Sequence, residues 1–301
     1  MRRTVRTVAL LALASAAGAS PPSFMDGVAA YEAGDPARCG GILLAAEVAG
    51  AAIPTNGELL TAECLSAAGR FDDAFAYLRR QLPGGRIPFD DLLGKSRPGL
   101  DALRQHLGWN ALRTEAATLE AAQAARRDPA LREELLRRAE VDQVARRAVF
   151  GTGGSVDDAA RVRMTEVDRE NTAWLQQVLD SRGWPDSDLV GHDGAKAAWL
   201  LVQHADHDPA FQRAALARMQ PAVDAGRADR SDYALLTDRV LLAEGQPQRY
   251  GTQFQTHADG VMRLRPVEDP DGLEARRAAV GLPSMADYRQ ILRDGYGTEV
   301  E

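Results

Sequence analysis

The sequence predicts a mainly α, multi-helical protein with repeat-like helical hairpins in front, a helical domain behind them and one small β-hairpin. Three observations carry that prediction. Alanine and leucine are abundant while aromatic residues make up only 6% of the chain, a balance that suits close-packed helices better than sheets. Apolar residues recur at helical spacing over long stretches. Asp-Pro and Ser caps, with Gly stops, punctuate those stretches where helices must begin and end. A chain of 301 residues that is 45% hydrophobic and 26% charged is long enough for one large domain or two smaller ones.

Residues 1–19 read as a secretory signal peptide. Arg2, Arg3 and Arg6 form the basic start, Val8 to Ala17 the apolar middle, and Ala17-Gly18-Ala19 a small-residue cleavage site before Ser20. The apolar run falls short of the roughly 20 residues needed to span a bilayer, so no membrane span is expected. Cleavage removes three arginines and no acid, moving the formal charge from −7 to −10. That balance argues against a nucleic-acid partner. Cys39 and Cys64 are the only cysteines. They read either as a disulfide or as two buried thiols, and export to an oxidising compartment favours the bridge.

After Ser20-Pro21-Pro22, the segment from Phe24 to Gln81 reads as two helical hairpins. Gly34 ends one helix, and Asp35-Pro36 supplies the cap and first residue of the next. Glu58 to Ala68, the turn Gly69-Arg70, and Phe71 to Leu82 repeat the device, with Ala74, Phe75 and Leu78 facing inward. The run Leu65-Ser66-Ala67-Ala68-Gly69-Arg70-Phe71-Asp72-Asp73-Ala74 resembles the turn of a tetratricopeptide repeat. That resemblance implies a peptide or protein partner; a cap on the next domain is the alternative. Pro83-Gly84-Gly85, Pro88, Gly94 and Pro98-Gly99 mark a linker, which divides the chain into residues 24–99 and 100–301. Trp109 is expected to cover the junction.

In the back half, Asp128-Pro129 opens a helix to about Phe150 whose apolar stripe, Leu131, Leu135, Ala139, Ala145 and Val149, also carries Asp142. A carboxylate there needs a partner, and Arg146 is one turn away. Gly151-Thr152-Gly153-Gly154 follows a helix and has no lysine, so it is a turn rather than a phosphate loop. Ser155 caps the next helix, to about Arg182, with Asn171 within its core face and Asp168 beside it. Gly183-Trp184-Pro185 breaks the chain. Asp193 caps a helix that is apolar all round through Ala197 to Val202, hence central, and Gln203, His204 and Asp206 sit at its end. Asp208-Pro209 restarts a helix that Pro221 kinks or interrupts and Gly226 ends. Ser231 caps a helix to Gly245 on which Asp238 and Arg239 both have leucines a turn away on either side. Tyr250 to Thr256 and Val261 to Arg265 can pair across His257-Ala258-Asp259-Gly260, and two short helices follow.

Asp142-Gln143 with Arg146, Asp168 with Asn171, Gly183-Trp184-Pro185, Gln203-His204-Ala205-Asp206, Asp238-Arg239, and Pro247-Gln248 before Tyr250-Gly251-Thr252-Gln253 together resemble an uncharacterised bacterial family, a domain of unknown function. The resemblance covers roughly residues 100–290 and leaves the front hairpins outside. His207 does not belong to the pattern. The family implies no established activity, so the residues must carry the argument.

They point to one site. Gln203, His204, Asp238, Arg239, Tyr250 and Gln253 are expected around a cavity, with Asp206, Gln248 and Thr252 adding ligand contacts and Asp142, Arg146, Asp168 and Asn171 supporting it from within. So many polar groups on apolar stripes are costly without a use. In the leading expectation an exported protein binds a small molecule or peptide there. The second is a hydrolase or transferase with His204 as general base and Asp238 and Arg239 as catalytic partners. The third is a structural or interaction module of the cell envelope whose polar groups form a buried network. No G-x-S-x-G elbow exists, neither cysteine has a histidine near it in sequence to act as its base, and Thr252 is a weak nucleophile. His204, His207, Asp206 and His192 are potential zinc ligands, but no H-E-x-x-H occurs, so neither metal nor cofactor is expected.

Overall fold

Helix starts and stops fall largely where cap chemistry puts them in the computed structural model, which describes residues 22–51, 53–54, 57–150 and 157–301. The expected signal segment, the turn at Gly151–Gly154 and the Ser155 cap lie outside those residues. The chain is 71% helical with a single two-stranded hairpin among the described residues. No described helix is long and apolar enough to cross a membrane.

Helix α1 (Phe24–Glu32) starts in a capping box between Ser23 and Asp26. Gly34 then takes the left-handed conformation that ends it, at φ 74°. Asp35 accepts a hydrogen bond from Arg38 N at 3.0 Å to open α2 (Pro36–Val48). The second hairpin, α3 (Gly57–Ala67) and α4 (Phe71–Gln81), turns at Gly69 in the same way. Cys39 on α2 and Cys64 on α3 form a disulfide with Cα atoms 5.9 Å apart, tying the two hairpins together. Part of the breaker-rich stretch folds into α5 (Phe89–Gly94), because Ile87 and Leu92 find burial in the front core. With α6 (Pro98–Gln105) and α7 (Trp109–Ala124), that core runs from Leu59 through Phe75 and Leu103 to Ala116, and Trp109 is buried in it.

A second core is built around α10 (Ser187–Gln203), as its all-round apolar middle requires. Ala198, Leu201 and Val202 are buried with Leu135 of α8 (Pro129–Phe150), Leu175 of α9 (Asp158–Arg182), Ala215 of α11 (Pro209–Asp224) and Leu236 of α12 (Arg230–Ala243). Three boundaries differ from expectation. Asp186 caps α10 through Asp188 N and Leu189 N, and the helix breaks at Gly191 (φ 74°). Asp193, expected as the cap, pairs with Arg132 instead and accepts from the N–H of its own neighbour Gly194. Pro221 is carried inside a continuous α11, and α12 starts one residue before Ser231. The two parts meet at Arg86, which donates to Glu58 at 2.5 Å and reaches Asp229 at 3.4 Å.

Strands β1 (Phe254–Thr256) and β2 (Met262–Leu264) pair antiparallel with Phe254 opposite Leu264, across a turn that Gly260 makes at φ 82°. β1 is shorter than expected. Before it, Tyr250 and Thr252 turn their N–H groups to Asp238 instead. Residues 299–301 lie beside β2 through Met262 N to Glu299 O at 2.9 Å, and α13 (Leu273–Ala279) and α14 (Met285–Tyr296) close the chain.

Candidate functional site

The end of α10 lies between two polar clusters. On one side, His204 Nδ1 is 2.9 Å from Asp142 Oδ2 and 2.8 Å from Arg146 Nε, and one ring nitrogen cannot donate to the carboxylate while accepting from the guanidinium. Nδ1 keeps its proton and donates it in a hydrogen bond to Asp142. The Asp142 side chain is 1% exposed and needs donors, whereas Arg146 keeps ion pairs to Asp168 at 2.6 Å and to Asp142 at 3.4 Å. Gln143 Nε2 also donates to Asp142, at 2.9 Å. Burial works to raise the Asp142 pKa, but His204, Arg146 and Gln143 outweigh it and hold the carboxyl below its ordinary value. Asp168 goes the other way: burial pushes its carboxyl up, the Asp142 charge adds to that, and Arg146 offsets only part.

The proton on Nδ1 leaves Nε2 with its lone pair. Among the described residues no hydrogen bond reaches Nε2, and it is absent from the sealed polar atoms, so it meets solvent. A buried carboxylate behind Nδ1 with an open Nε2 in front is the arrangement of a general base, because the carboxylate stabilises the imidazolium formed on proton uptake.

On the other side, Arg239 donates from Nε to Gln203 Oε1 at 2.7 Å and from Nη1 to both oxygens of Asp206, at 2.6 and 2.8 Å. Gln212, which the sequence did not single out, braces the turn by donating to Val202 O at 3.1 Å and Gln203 O at 3.3 Å. Arg239 Nη2 makes no hydrogen bond among the described residues and remains available to an acceptor. His207 is exposed in the turn beyond. Among the described residues no three His, Cys, Asp or Glu side chains group as a metal site.

Asp238, next to Arg239, belongs to a different structure. Its carboxylate is fully buried and accepts from Arg249 N at 2.7 Å, Tyr250 N at 2.9 Å, and both the N–H and hydroxyl of Thr252 at 2.9 Å. Gln248 is buried beside it, donating to Gln253 O and Arg265 O and accepting from Gln253 N. Gln253 in turn donates its amide to Thr252 Oγ1 at 3.1 Å. These side chains hold the loop to α12. Asn171 makes no bond to His204: its Oδ1 accepts from Arg138 at 3.1 Å, and the Arg138 guanidinium lies over the Trp174 ring.

A family model described as a family of unknown function, DUF6624, matches residues 129–301. The chain belongs to this family. No curated protein and no solved structure matches the chain.

The DUF6624 region starts with α8 and contains all of both clusters, whereas the front hairpins lie outside it. Within it, Arg277 is a residue that sequence reasoning missed. It is completely buried, donates from Nη1 to Tyr250 O at 2.6 Å and Gly251 O at 3.2 Å and from Nε to Pro283 O at 2.8 Å, and lies over the Tyr288 ring. Burial pulls its pKa below the ordinary arginine value. On a short helix beside Arg276 it reads as a surface charge, and no periodic signal marks it as internal. Gly251 itself has φ 66° and brings the backbone close to Leu273 and Met285, leaving little room for a side chain.

Proposed function

We propose that the DUF6624 region binds a small molecule or peptide at the end of α10, where Arg239 and Asp206 offer ligand contacts and His204 acts as a general base. The Asp142–His204 pair is the observation that supports this most directly. It sets the tautomer, and Nε2 is left without a protein partner among the described residues. Arg239 complements it. Its guanidinium is oriented by Gln203 and Asp206, and its free Nη2 suits a carbonyl, carboxylate or phosphate oxygen of the ligand.

No serine, threonine or cysteine side chain bonds His204 among the described residues, so the proton it accepts comes from water or from the ligand's own hydroxyl or amine. That favours hydrolysis or group transfer without a covalent enzyme intermediate. Asp238, Gln248 and Thr252 take the supporting part in this reading, since their polar atoms are engaged with the loop.

The Cys39–Cys64 bridge supports export to an oxidising compartment, in keeping with a signal segment at residues 1–19. In the same reading, hairpins α1–α2 and α3–α4 offer a surface for a protein or peptide partner. The test is a substrate and melting-shift screen on the mature protein. His204→Gln is expected to lower turnover by about 10²–10⁴, the usual contribution of a general base, while melting near wild type, and Asp142→Asn to lower it in the same direction. Unchanged turnover in both variants would end the proposal.

A further inference from the structure

A cavity of about 380 Å³ lies along α10 and the start of α12, where Pro54 and Pro88 of the front part meet the second core. Lys196 precedes His204 by eight residues, about 12 Å of helix rise, so this is a separate place from the His204 face. Trp184, Trp199, Pro54 and Pro88 contribute apolar wall, and Lys196, Arg227, Ser231 and Asp232 contribute polar wall. Its size falls within the roughly 300–1,000 Å³ of small-molecule sites.

Asp232 is the informative residue. Its side chain is 8% exposed, and Oδ1 accepts from Lys196 Nζ at 2.5 Å. Oδ2 has no partner among the described residues and is not among the sealed atoms, so a carboxylate oxygen held deep in the wall remains reachable. An oxygen reachable from the cavity can accept from water or from a ligand hydroxyl in its place. Ser231 offers a hydroxyl with no bond among the described residues, and the Arg227 Nη groups likewise make none, its Nε being used by Asp186 at 2.6 Å. Donors and acceptors therefore stand side by side.

The charges of the wall are already matched. Lys196 is paired with Asp232 and lies 3.8 Å from the centre of the Trp199 ring, Arg227 with Asp186, Asp193 with Arg132, and Asp229 with Arg86. A charged ligand would lose its hydration against side chains whose charge a partner already offsets. A neutral ligand bearing several hydroxyls meets no such cost. It can donate to Asp232 Oδ2, accept from Arg227, exchange with Ser231, and place its C–H surface on the indole and proline wall. We infer that this cavity binds a neutral saccharide of one or two rings.

Tryptophan fluorescence and calorimetric titration of the full-length protein test this with glucose, N-acetylglucosamine and maltose as probes, and with glucose 6-phosphate, lysine and glutamate as charged comparators. At least one neutral sugar is expected to saturate below about 10 mM. Asp232→Asn should weaken it at least about tenfold, the loss of one hydrogen bond to a charged group. Ala228→Leu, which fills the cavity from its wall, should abolish it with little change in the circular-dichroism melt. His204→Gln should leave it unchanged. The inference is overturned by no saturation with any of the three sugars, by tighter binding of a charged comparator, or by wild-type binding in both Asp232→Asn and Ala228→Leu.

Discussion

Asp238 Oδ2 accepts both the backbone N–H and the hydroxyl of Thr252, each at 2.9 Å. With Arg249 N and Tyr250 N on Oδ1, one carboxylate gathers the loop 249–252 onto α12. In Asp238→Asn the amide NH₂ faces N–H donors, so one oxygen's contacts become repulsive. The expected loss is about 3 kcal/mol in urea unfolding, the size for breaking a buried charged interaction. Thr252→Val keeps the backbone bond and should cost only about 1 kcal/mol. Equal losses for the two would show that the hydroxyl, not the carboxylate, holds the loop.

Arg277 grips the same loop from its other side through Tyr250 O and Gly251 O. Arg277→Lys keeps the charge, but one ammonium cannot span these carbonyls and Pro283 O together. A stability loss of about 2 kcal/mol is expected. Arg277→Met should restore part of it, since the variant no longer buries a cation. A lysine variant as stable as wild type would contradict the clamp.

Burial raises Asp232 to about 6, only partly offset by Lys196. The folded protein therefore holds this proton more tightly than the unfolded chain, whose carboxyl titrates near about 3.9. Stability from this group is full below the unfolded value and falls as pH rises through about 6. The drop approaches about 3 kcal/mol. Asp142 has the opposite sign: lowered in the fold, it contributes stability that is present above its unfolded value and lost as pH falls through the folded one. Urea midpoints measured from pH 3 to pH 7 separate the two, because Asp232→Asn should reduce the fall in the upper limb and Asp142→Asn should act chiefly on the acid limb.

The Cys39–Cys64 bridge spans 25 residues of sequence, and both sulfurs are fully buried. Thiol titration of denatured, unreduced protein should find none free. Cys39→Ala with Cys64→Ala should lose about 3 kcal/mol, from the greater freedom of the unfolded chain. Two titratable thiols in protein recovered from an oxidising compartment would remove the bridge and with it one support for export.

Helix order and the two hairpin turns were legible because they depend on neighbours in sequence. Asp35 caps α2 from three residues away, and Gly34 and Gly69 end helices by their own backbone freedom. The polar stripe was legible too, since Asp142 and Asp238 stand where packing calls for an apolar side chain. Their partners were not. Asp142 lies 62 residues from His204, with Arg146 competing for the same ring nitrogen, and only the approach of α8 to the end of α10 decides that pair. The stretch Tyr250–Gln253 has strand-like chemistry, yet three hydrogen bonds from Tyr250 and Thr252 go to Asp238 instead of to a ladder.

Local rules therefore settled the elements, the disulfide-ready hairpins and the residues whose burial needed explaining. Folding decided what each polar group faces, dividing the expected pocket residues into a part-exposed His204 cluster and a buried Asp238 hub. The reason is physical: a buried charge takes whichever donors the packed helices bring within hydrogen-bond reach, and that proximity is a property of the tertiary structure rather than of sequence spacing.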